Sequence, residues 1–479
     1  MESLKEKTAR GLLWGSLSNG IQQLLNVVIG IFLGRLLDTS DWGMVGMITI
    51  FTAIGACLQE GGFIAALNKR KGATHNDFNA VFWTSLGIGL TFYILMFVCA
   101  PLISAFYGVP SLTPLTRYIC LSFLISSLST APRAWLFRNM MVRETSIMTI
   151  ISLAVSGIVA VAMAFAGMAY WGIATQNIVY ISMVTLLSYH FSGWRPSMRI
   201  DLRPVREMIG FSSRLIITNV VNIVNLNFFS VLLGKFYTTS DVGNYTQANK
   251  WNTMGSSLIS NIIYGIAQPV FTKVEEDRDR QKAVLRKLLR FTAFITFPLM
   301  LGLSLVAKEF IVILITEKWL VSAGIMQMLC VAGAFIPISA LFSNLIISRG
   351  HSRAYMWTSV AQCLAGMVVA MAASPFGIHV MVMAFVAVTI LWTGVWLWLA
   401  RREVSITAYE FLRDISPYLL LSVALCLIAH FACGGIGNIY LRFGMKVLAV
   451  AIPYVGVLWL LGSTILRESA NFLIHKKIT

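Results

Sequence analysis

Two stretches, read together, decide the fold. Residues 33–43 are Leu33-Gly34-Arg35-Leu36-Leu37-Asp38-Thr39-Ser40-Asp41-Trp42-Gly43, and residues 233–243 are Leu233-Gly234-Lys235-Phe236-Tyr237-Thr238-Thr239-Ser240-Asp241-Val242-Gly243. Six of the eleven positions are identical, and a seventh exchanges one basic residue for another. The same offset of 200 pairs Ser18 with Thr218, Asn19 with Asn219, Gln22 with Asn222 and Gly55 with Gly255. A register kept over such a distance marks an internal repeat, which should be sought before any other motif.

Each copy closes a long apolar stretch, and the composition says what such stretches are. Of 479 residues, 57% are hydrophobic and only 12% are charged. Soluble domains carry about 25% charged residues. A chain with so little charge cannot cover a water-facing surface, so a soluble multidomain protein, a disordered chain and a disulfide scaffold are excluded. A helix needs about 20 mostly apolar residues to cross a bilayer. The chain offers fourteen such segments, near 12–37, 43–66, 79–101, 114–131, 146–167, 170–190, 208–236, 244–270, 291–307, 321–347, 355–373, 379–400, 415–433 and 442–466. The ninth is the weakest, and Phe310–Ile315 is a candidate extension of it.

The repeated motif closes the first and the seventh spans. Six spans lie between the copies, so both run the same way across the membrane and form a parallel repeat. The expected fold is an all-α polytopic membrane protein of about fourteen transmembrane helices. Residues 1–200 form one six-helix lobe and 201–402 a second. Residues 403–479 add helices 13 and 14 and a tail. Two such lobes place a site at their interface, and rocking of one against the other gives alternating access.

Charge fixes the orientation. The chain has 37 Lys and Arg against 20 Asp and Glu, a net charge of +17. With a cytoplasmic N-terminus, 28 of the cations fall in 1–11, 67–78, 132–145, 191–207, 271–290, 348–354, 401–414 and 467–479. The opposite loops hold two, Lys308 and Lys318. The positive-inside rule therefore puts both termini in the cytoplasm. It also accounts for most of the net charge without a nucleic-acid partner. The charged start Met1–Arg10 leads into an apolar stretch, Gly11–Leu37, too long for a signal-peptide core, so it reads as a retained first helix. Segment 271–290 reads as one amphipathic helix, either lying on anionic lipid or serving as a solvated connector. The seven cysteines sit in or beside apolar stretches with no CxxC spacing, as small packing residues do.

Polar stripes point to a cavity. The first helix carries Asn19, Gln22, Gln23 and Asn26, and the second carries Thr49, Thr52, Gln59 and Glu60. The seventh carries Arg214, Thr218, Asn222 and Asn225, and the eighth carries Thr246, Asn249, Lys250, Thr253 and Ser257. Amides facing lipid would lack partners. Interhelical hydrogen bonds, worth about 0.6 kcal/mol each, explain scattered Ser and Thr. Matching stripes on the same helices of both repeats are better explained by a water-filled cavity among helices 1, 2, 7 and 8.

Seven cations fall inside spans: Arg35, Arg117, Arg214, Lys235, Lys250, Arg442 and Lys446. A charge at the bilayer centre costs about 2.5–3.5 kcal/mol even on the mild scale. Arg117, Arg442 and Lys446 lie near span ends, where they are expected to snorkel to the interface. Arg35 and Lys235 occupy one place in both repeats, and Arg214 and Lys250 lie about two turns deep on polar stripes. The clear intramembrane acid is Glu60. This excess of cations suits an anionic substrate such as a diphosphate. Glu60 is either half of a structural ion pair or the site of a coupling H⁺ or Na⁺. The expected substrate contacts are Arg35, Arg214, Lys235 and Lys250 for the anion, and Asn19, Gln23, Asn219 and Asn222 for hydroxyl groups. The sequence has no GxxxxGK[ST], no HExxH and no Cys/His metal spacing. Its outer loops are too short for an acceptor-binding domain, so neither a catalytic role nor a resident cofactor is expected.

The chain resembles the polysaccharide-exporter flippases, the Wzx-type and colanic-acid-exporter-like branch of the MOP superfamily that also includes MATE exporters and the lipid II flippase. The resemblance rests on the order of several motifs: Leu4-Lys5-Glu6-Lys7-Thr8 with Gly11 and Trp14, Gln59-Glu60-Gly61-Gly62 leading to Asn68-Lys69-Arg70-Lys71, Pro269 to Asp277 before a basic helix, and Glu317-Lys318-Trp319. It implies translocation of an undecaprenyl-diphosphate-linked oligosaccharide, such as an O-antigen, capsule or exopolysaccharide repeat unit, from the cytoplasmic to the periplasmic leaflet of a bacterial inner membrane. It implies a V-shaped cavity between the lobes and a groove at helices 13 and 14 for the polyprenyl tail, and it leaves room for a polysaccharide polymerase as a protein partner. Glu60 stands where related exporters carry an acid before glycine. The rival readings are a MATE-like cation-coupled small-molecule exporter and a membrane-embedded glycan polymerase.

Overall fold

The computed structural model describes residues 4–60, 63–70, 72–198 and 200–462, and these residues form helices and no strands. The chain divides into two compact units, Met1–Gly243 and Asn244–Thr479. The first holds α1 (Leu4–Leu36), α2 (Thr39–Glu60), α3 (Phe63–Lys69), α4 (His75–Tyr107), α5 (Leu112–Ile119), α6 (Leu121–Arg138), α7 (Val142–Phe165), α8 (Tyr170–Ser192) and α9 (Arg203–Phe236). Within it α9 packs on α2, α3 and α4, and α8 packs on α6 and α7. The second takes most of α10 (Thr239–Lys273), then α11 (Arg278–Leu305), α12 (Ala307–Ile315), α13 (Leu320–Gly333), α14 (Ile336–Ser348), α15 (Ser352–Ala373), α16 (Ile378–Val404), α17 (Ala408–Cys433) and α18 (Ile439–Leu460). Here α11 is central and packs on α13, α14, α17 and α18.

Among the described residues, twelve segments of helix are both long and apolar enough to span a membrane. The helices α8 and α10, at the places of the sixth and eighth expected spans, are of span length but richer in polar residues. Helix starts follow local chemistry. Thr74 caps α4 through the Asp77 carboxylate, which accepts from its backbone N–H at 2.7 Å. Asp277 caps α11 by accepting from the Arg280 N–H at 2.9 Å. Thr407 and Glu410 form a reciprocal box at the start of α17. Each such cap satisfies a donor that the first turn leaves unpaired.

The repeated motif explains itself in the same terms. In both copies Thr-Ser-Asp is the first turn of a helix, α2 or α10. Asp41 accepts from the Asp38 N–H at 3.0 Å, and Asp241 accepts from the Thr238 N–H at 3.1 Å. The glycine two residues further on faces the other copy. A Cβ on Gly43 would lie 1.7 Å from the Thr239 carbonyl oxygen, and one on Gly243 would lie 1.8 Å from that of Thr39. The hydroxyls of Thr39 and Ser240 stand 2.7 Å apart. The two copies of the motif therefore meet reciprocally, backbone against backbone, and only glycine permits the approach.

Three local expectations change. The amphipathic stretch 271–290 is not a separate helix. Residues 271–273 end α10, and α11 begins at Arg278 and continues into the ninth span. Leu285 and Leu289 are fully buried and lead into the buried stripe of Ala293, Phe297 and Met300, so one face runs unbroken from the amphipathic half into the span. The apolar stretch Phe310–Ile315 does not lengthen that span, because the chain breaks at Val306 and α12 follows separately. The fourth and tenth spans, equivalent in the repeat, are each two helices. One breaks at Cys120, the other after Gly333, where Pro337 opens α14.

Candidate functional site

The first unit holds an open cavity of about 500 Å³ among α1, α2, α7 and α8, which are the first, second, fifth and sixth spans, with both polar and apolar residues in its wall. Small residues draw these helices together: a Cβ on Gly157 would lie 2.2 Å from Ile29 Cδ1, and Ala160 and Ala174 are fully buried. The polar lining comprises Gln22 and Asn26 from α1, Thr49 and Thr52 from α2, Thr149 and Ser156 from α7, and Gln176, Asn177 and Tyr180 from α8. No charged side chain is among the lining residues. Gln22 donates to Ser18 Oγ at 2.8 Å, which orients its carboxamide. Amides and hydroxyls offer donors and acceptors side by side. Such a wall matches a neutral ligand rich in hydroxyl groups, or water. Among the described residues the wall has no carboxylate for a cation and no ammonium or guanidinium for an anion.

The polar stripes read from the sequence divide at this cavity. Gln22, Asn26, Thr49 and Thr52 line it. Asn19 is exposed and Gln23 is half-buried, and neither is in the wall. Gln59, read as part of the α2 stripe, turns away instead. It is fully buried and donates to the Phe123 carbonyl, in the space that Gly89 leaves by lacking a Cβ. The α8 amides Gln176 and Asn177 escaped the sequence reading. Their signal was present as two adjacent amides in the sixth span, a cost in lipid unless they face a cavity.

The candidate cations fall in different settings. Lys235 is exposed, donates to the Phe106 carbonyl at 2.8 Å and lies 4.6 Å from the Phe106 ring centroid. Arg35, its repeat counterpart, is exposed in the last turn of α1. Asn219 is exposed and Asn222 half-buried on α9. In the second unit, Lys250 is half-buried on α10 with its ammonium 5.8 Å from the Trp251 ring centroid. Glu60 and Arg214 lie on α2 and α9, with side chains outside the described residues, as does the tail beyond residue 462. Arg117 sits at the end of α5, donates to the Phe97 carbonyl at 3.3 Å and covers the Phe97 ring at 4.2 Å.

Lys446 does not snorkel. It is 6% exposed and its ammonium lies 2.7 Å from Glu309 Oε1, with Arg442 on the same oxygen at 3.9 Å. Glu309 stands in the first turn of α12 and is itself 2% exposed. The acid pulls the lysine inward, because an unpaired carboxylate buried there would be far more costly than a paired one. Beside Lys446 runs an apolar groove of about 570 Å³ between α11 and α18, with walls that include Phe294, Leu299, Leu303, Phe443, Val447 and Val450.

The comparisons with known proteins agree with this architecture. A model of the polysaccharide biosynthesis protein family matches residues 32–324. The chain is 24% identical over 356 residues to the lipopolysaccharide biosynthesis protein WzxC of Escherichia coli (strain K12), covering 73% of this chain and 71% of that protein. It is 24% identical over 471 residues to the teichuronic acid biosynthesis protein TuaB of Bacillus subtilis (strain 168), covering 96% of each. Among solved structures, the lipid II flippase MurJ in an inward closed conformation matches with a TM-score of 0.73 at 13% identity, over 93% of this chain and 99% of that one. An inward-facing multidrug resistance MATE family transporter of the MOP superfamily matches with a TM-score of 0.65 at 13% identity, over 80% and 94%. The family model covers more than half of the sequence and the helices repeat the MurJ and MATE arrangement: this chain is a multi-pass membrane protein of the polysaccharide biosynthesis protein family, with the fold that MurJ and the MATE transporter share.

Proposed function

We propose that the protein is a flippase for undecaprenyl-diphosphate-linked oligosaccharide repeat units, moving them from the cytoplasmic to the periplasmic leaflet of a bacterial inner membrane by alternating access. The observation that supports this reading is the first unit's cavity, whose described polar lining is all amides and hydroxyls, in a chain of a polysaccharide biosynthesis family. Neutral sugars are recognised by such groups, each hydroxyl both donating and accepting. In this reading Arg35, Arg214, Lys235 and Lys250 neutralise the diphosphate, since guanidinium and ammonium donors hold phosphate oxygens most strongly where water is excluded. Asn19, Gln23, Asn219 and Asn222 hydrogen-bond the sugars outside the cavity. The apolar groove between α11 and α18 takes the polyprenyl tail. Glu60 carries a coupling H⁺ or Na⁺, both termini are cytoplasmic, and a polysaccharide polymerase receives the product. Cationic drugs would want carboxylates, and the cavity has none among its lining residues.

The deciding experiment reads which leaflet holds the lipid-linked units. Deletion of the gene is expected to leave them on the cytoplasmic leaflet. Unpolymerised units on the outer leaflet of the deletion strain would instead make the protein a polymerase. Complementation with Arg214→Gln/Lys250→Gln is expected to restore membrane-inserted protein but not export. Normal export by that double variant would remove the two cations from the site while leaving the flippase reading intact.

A further inference from the structure

We propose that the mouth between the starts of α11 and α17 binds the phosphate of an anionic phospholipid headgroup. Lys282, Arg286 and Arg290 recur every four residues on α11, on one face of the helix. They meet Glu410 and Asp414 of α17. Asp414 is buried and accepts from Arg286 Nε at 2.6 Å and Nη2 at 3.1 Å, with Arg290 Nε at 3.6 Å. Glu410 takes Lys282 at 2.9 Å and Arg286 Nη1 at 3.3 Å. Both acids are thereby used in joining the two helices.

What remains is positive. A cavity of about 520 Å³ opens at this junction, lined by Ala283, Arg286, Arg290, Arg413 and Asp414. Arg413 is exposed and has no acid at ion-pair distance among the described residues. Counting Lys282 and Glu410 at its edge, four cations face two carboxylates, both already shared. Planar guanidinium groups present parallel N–H donors that match phosphate oxygens in pairs. Basic pockets between membrane helices are suited to phospholipid headgroups for this reason.

The flank of the mouth selects a lipid over a soluble phosphate. Tyr409, Leu412 and Leu420 are 73%, 57% and 65% exposed, and on α17 they share one face with Arg413. Bare apolar surface thus runs along the helix from the cation pocket, where an acyl chain attached to the bound phosphate would lie. A tyrosine at this position also suits a membrane–water interface.

The proposal is tested without transport substrate, so its failure and that of the flippase reading are separate. The full-length protein in neutral detergent is titrated with phosphatidylglycerol or phosphatidylcholine, and bound lipid is counted by native mass spectrometry. Phosphatidylglycerol is expected to bind preferentially. Arg413→Gln, which leaves the Arg286 and Lys282 pairs in place, is expected to weaken phosphatidylglycerol about tenfold, the size of one charge-assisted hydrogen bond, with phosphatidylcholine unchanged. Lys308→Gln, at an exposed cation outside the mouth, is expected to change neither. Should Arg413→Gln fold poorly, Arg290→Gln carries the same expectation. Equal binding of the two lipids, or an equal loss in Lys308→Gln, would overturn the site. Displacement of phosphatidylglycerol by sodium pyrophosphate at micromolar concentration would overturn the lipid as its ligand in favour of a soluble phosphate.

Discussion

Gly43 and Gly243 are the residues on which the repeat turns. Each meets a backbone carbonyl of the other copy, closer than any Cβ can come. Their substitution should therefore behave unlike that of an ordinary helical glycine. Replacing glycine by alanine inside a helix usually stabilises by about 0.5–1 kcal/mol. Gly87, in α4, has nothing within 4 Å of where its Cβ would be, so Gly87→Ala should be neutral or stabilising in thermal unfolding. Gly43→Ala and Gly243→Ala should each lose at least about 1–3 kcal/mol, the range for forcing atoms into a packed site. Equal melting temperatures for all three variants would contradict the close approach. The sequence displayed these glycines as marks of a repeat but hid their purpose. Spacing along a chain records that two segments are alike, and says nothing of whether they touch.

At the scale of elements, the pairing of α12 with α18 is the least legible part of the molecule. Lys446 looked like a cation near a span end, and Glu309, beside the loop cation Lys308, drew no reading at all. Burial of both became visible only when α12 folded back to place Glu309 against α18. By contrast, the α11 amphipathic half and its span were each readable, and only their continuity was not, because a change from amphipathic to apolar character resembles a boundary. The ion pair yields a sharp expectation. Removing one partner leaves a buried charge, which typically costs about 3–5 kcal/mol, whereas replacing both with apolar residues is often neutral. Lys446→Met and Glu309→Gln should each lower the unfolding temperature markedly. The double variant Lys446→Met/Glu309→Met should recover most of the loss. Additive losses in the double variant would mean that the two side chains act independently.

At the scale of the whole molecule, the membrane-spanning helices were legible because the bilayer sets their length and apolar content, the two properties a sequence shows most directly. The cavity of the first unit was half legible. Its α1 and α2 members form stripes at helical spacing, while Gln176 and Asn177 of α8 join them only through packing. Motion is a further step, and the reciprocal contact of the repeat offers a way to test it. Thr39 and Ser240 open α2 and α10, and their hydroxyls stand 2.7 Å apart, which makes the two positions the pair to test with an engineered disulfide. The bond would fasten the starts of these two helices. If transport requires them to part, Thr39→Cys/Ser240→Cys should export normally when reduced, stop when oxidised, and recover on addition of reductant. Either single variant should be indifferent to oxidant, which also controls for the seven native cysteines, none of which is in a disulfide. Full export with the disulfide formed would show that the contact is a fixed hinge rather than a gate. The alternation of access would then have to arise from bending elsewhere, for which the broken spans α5–α6 and α13–α14, placed alike in both repeats, are the next elements to lock.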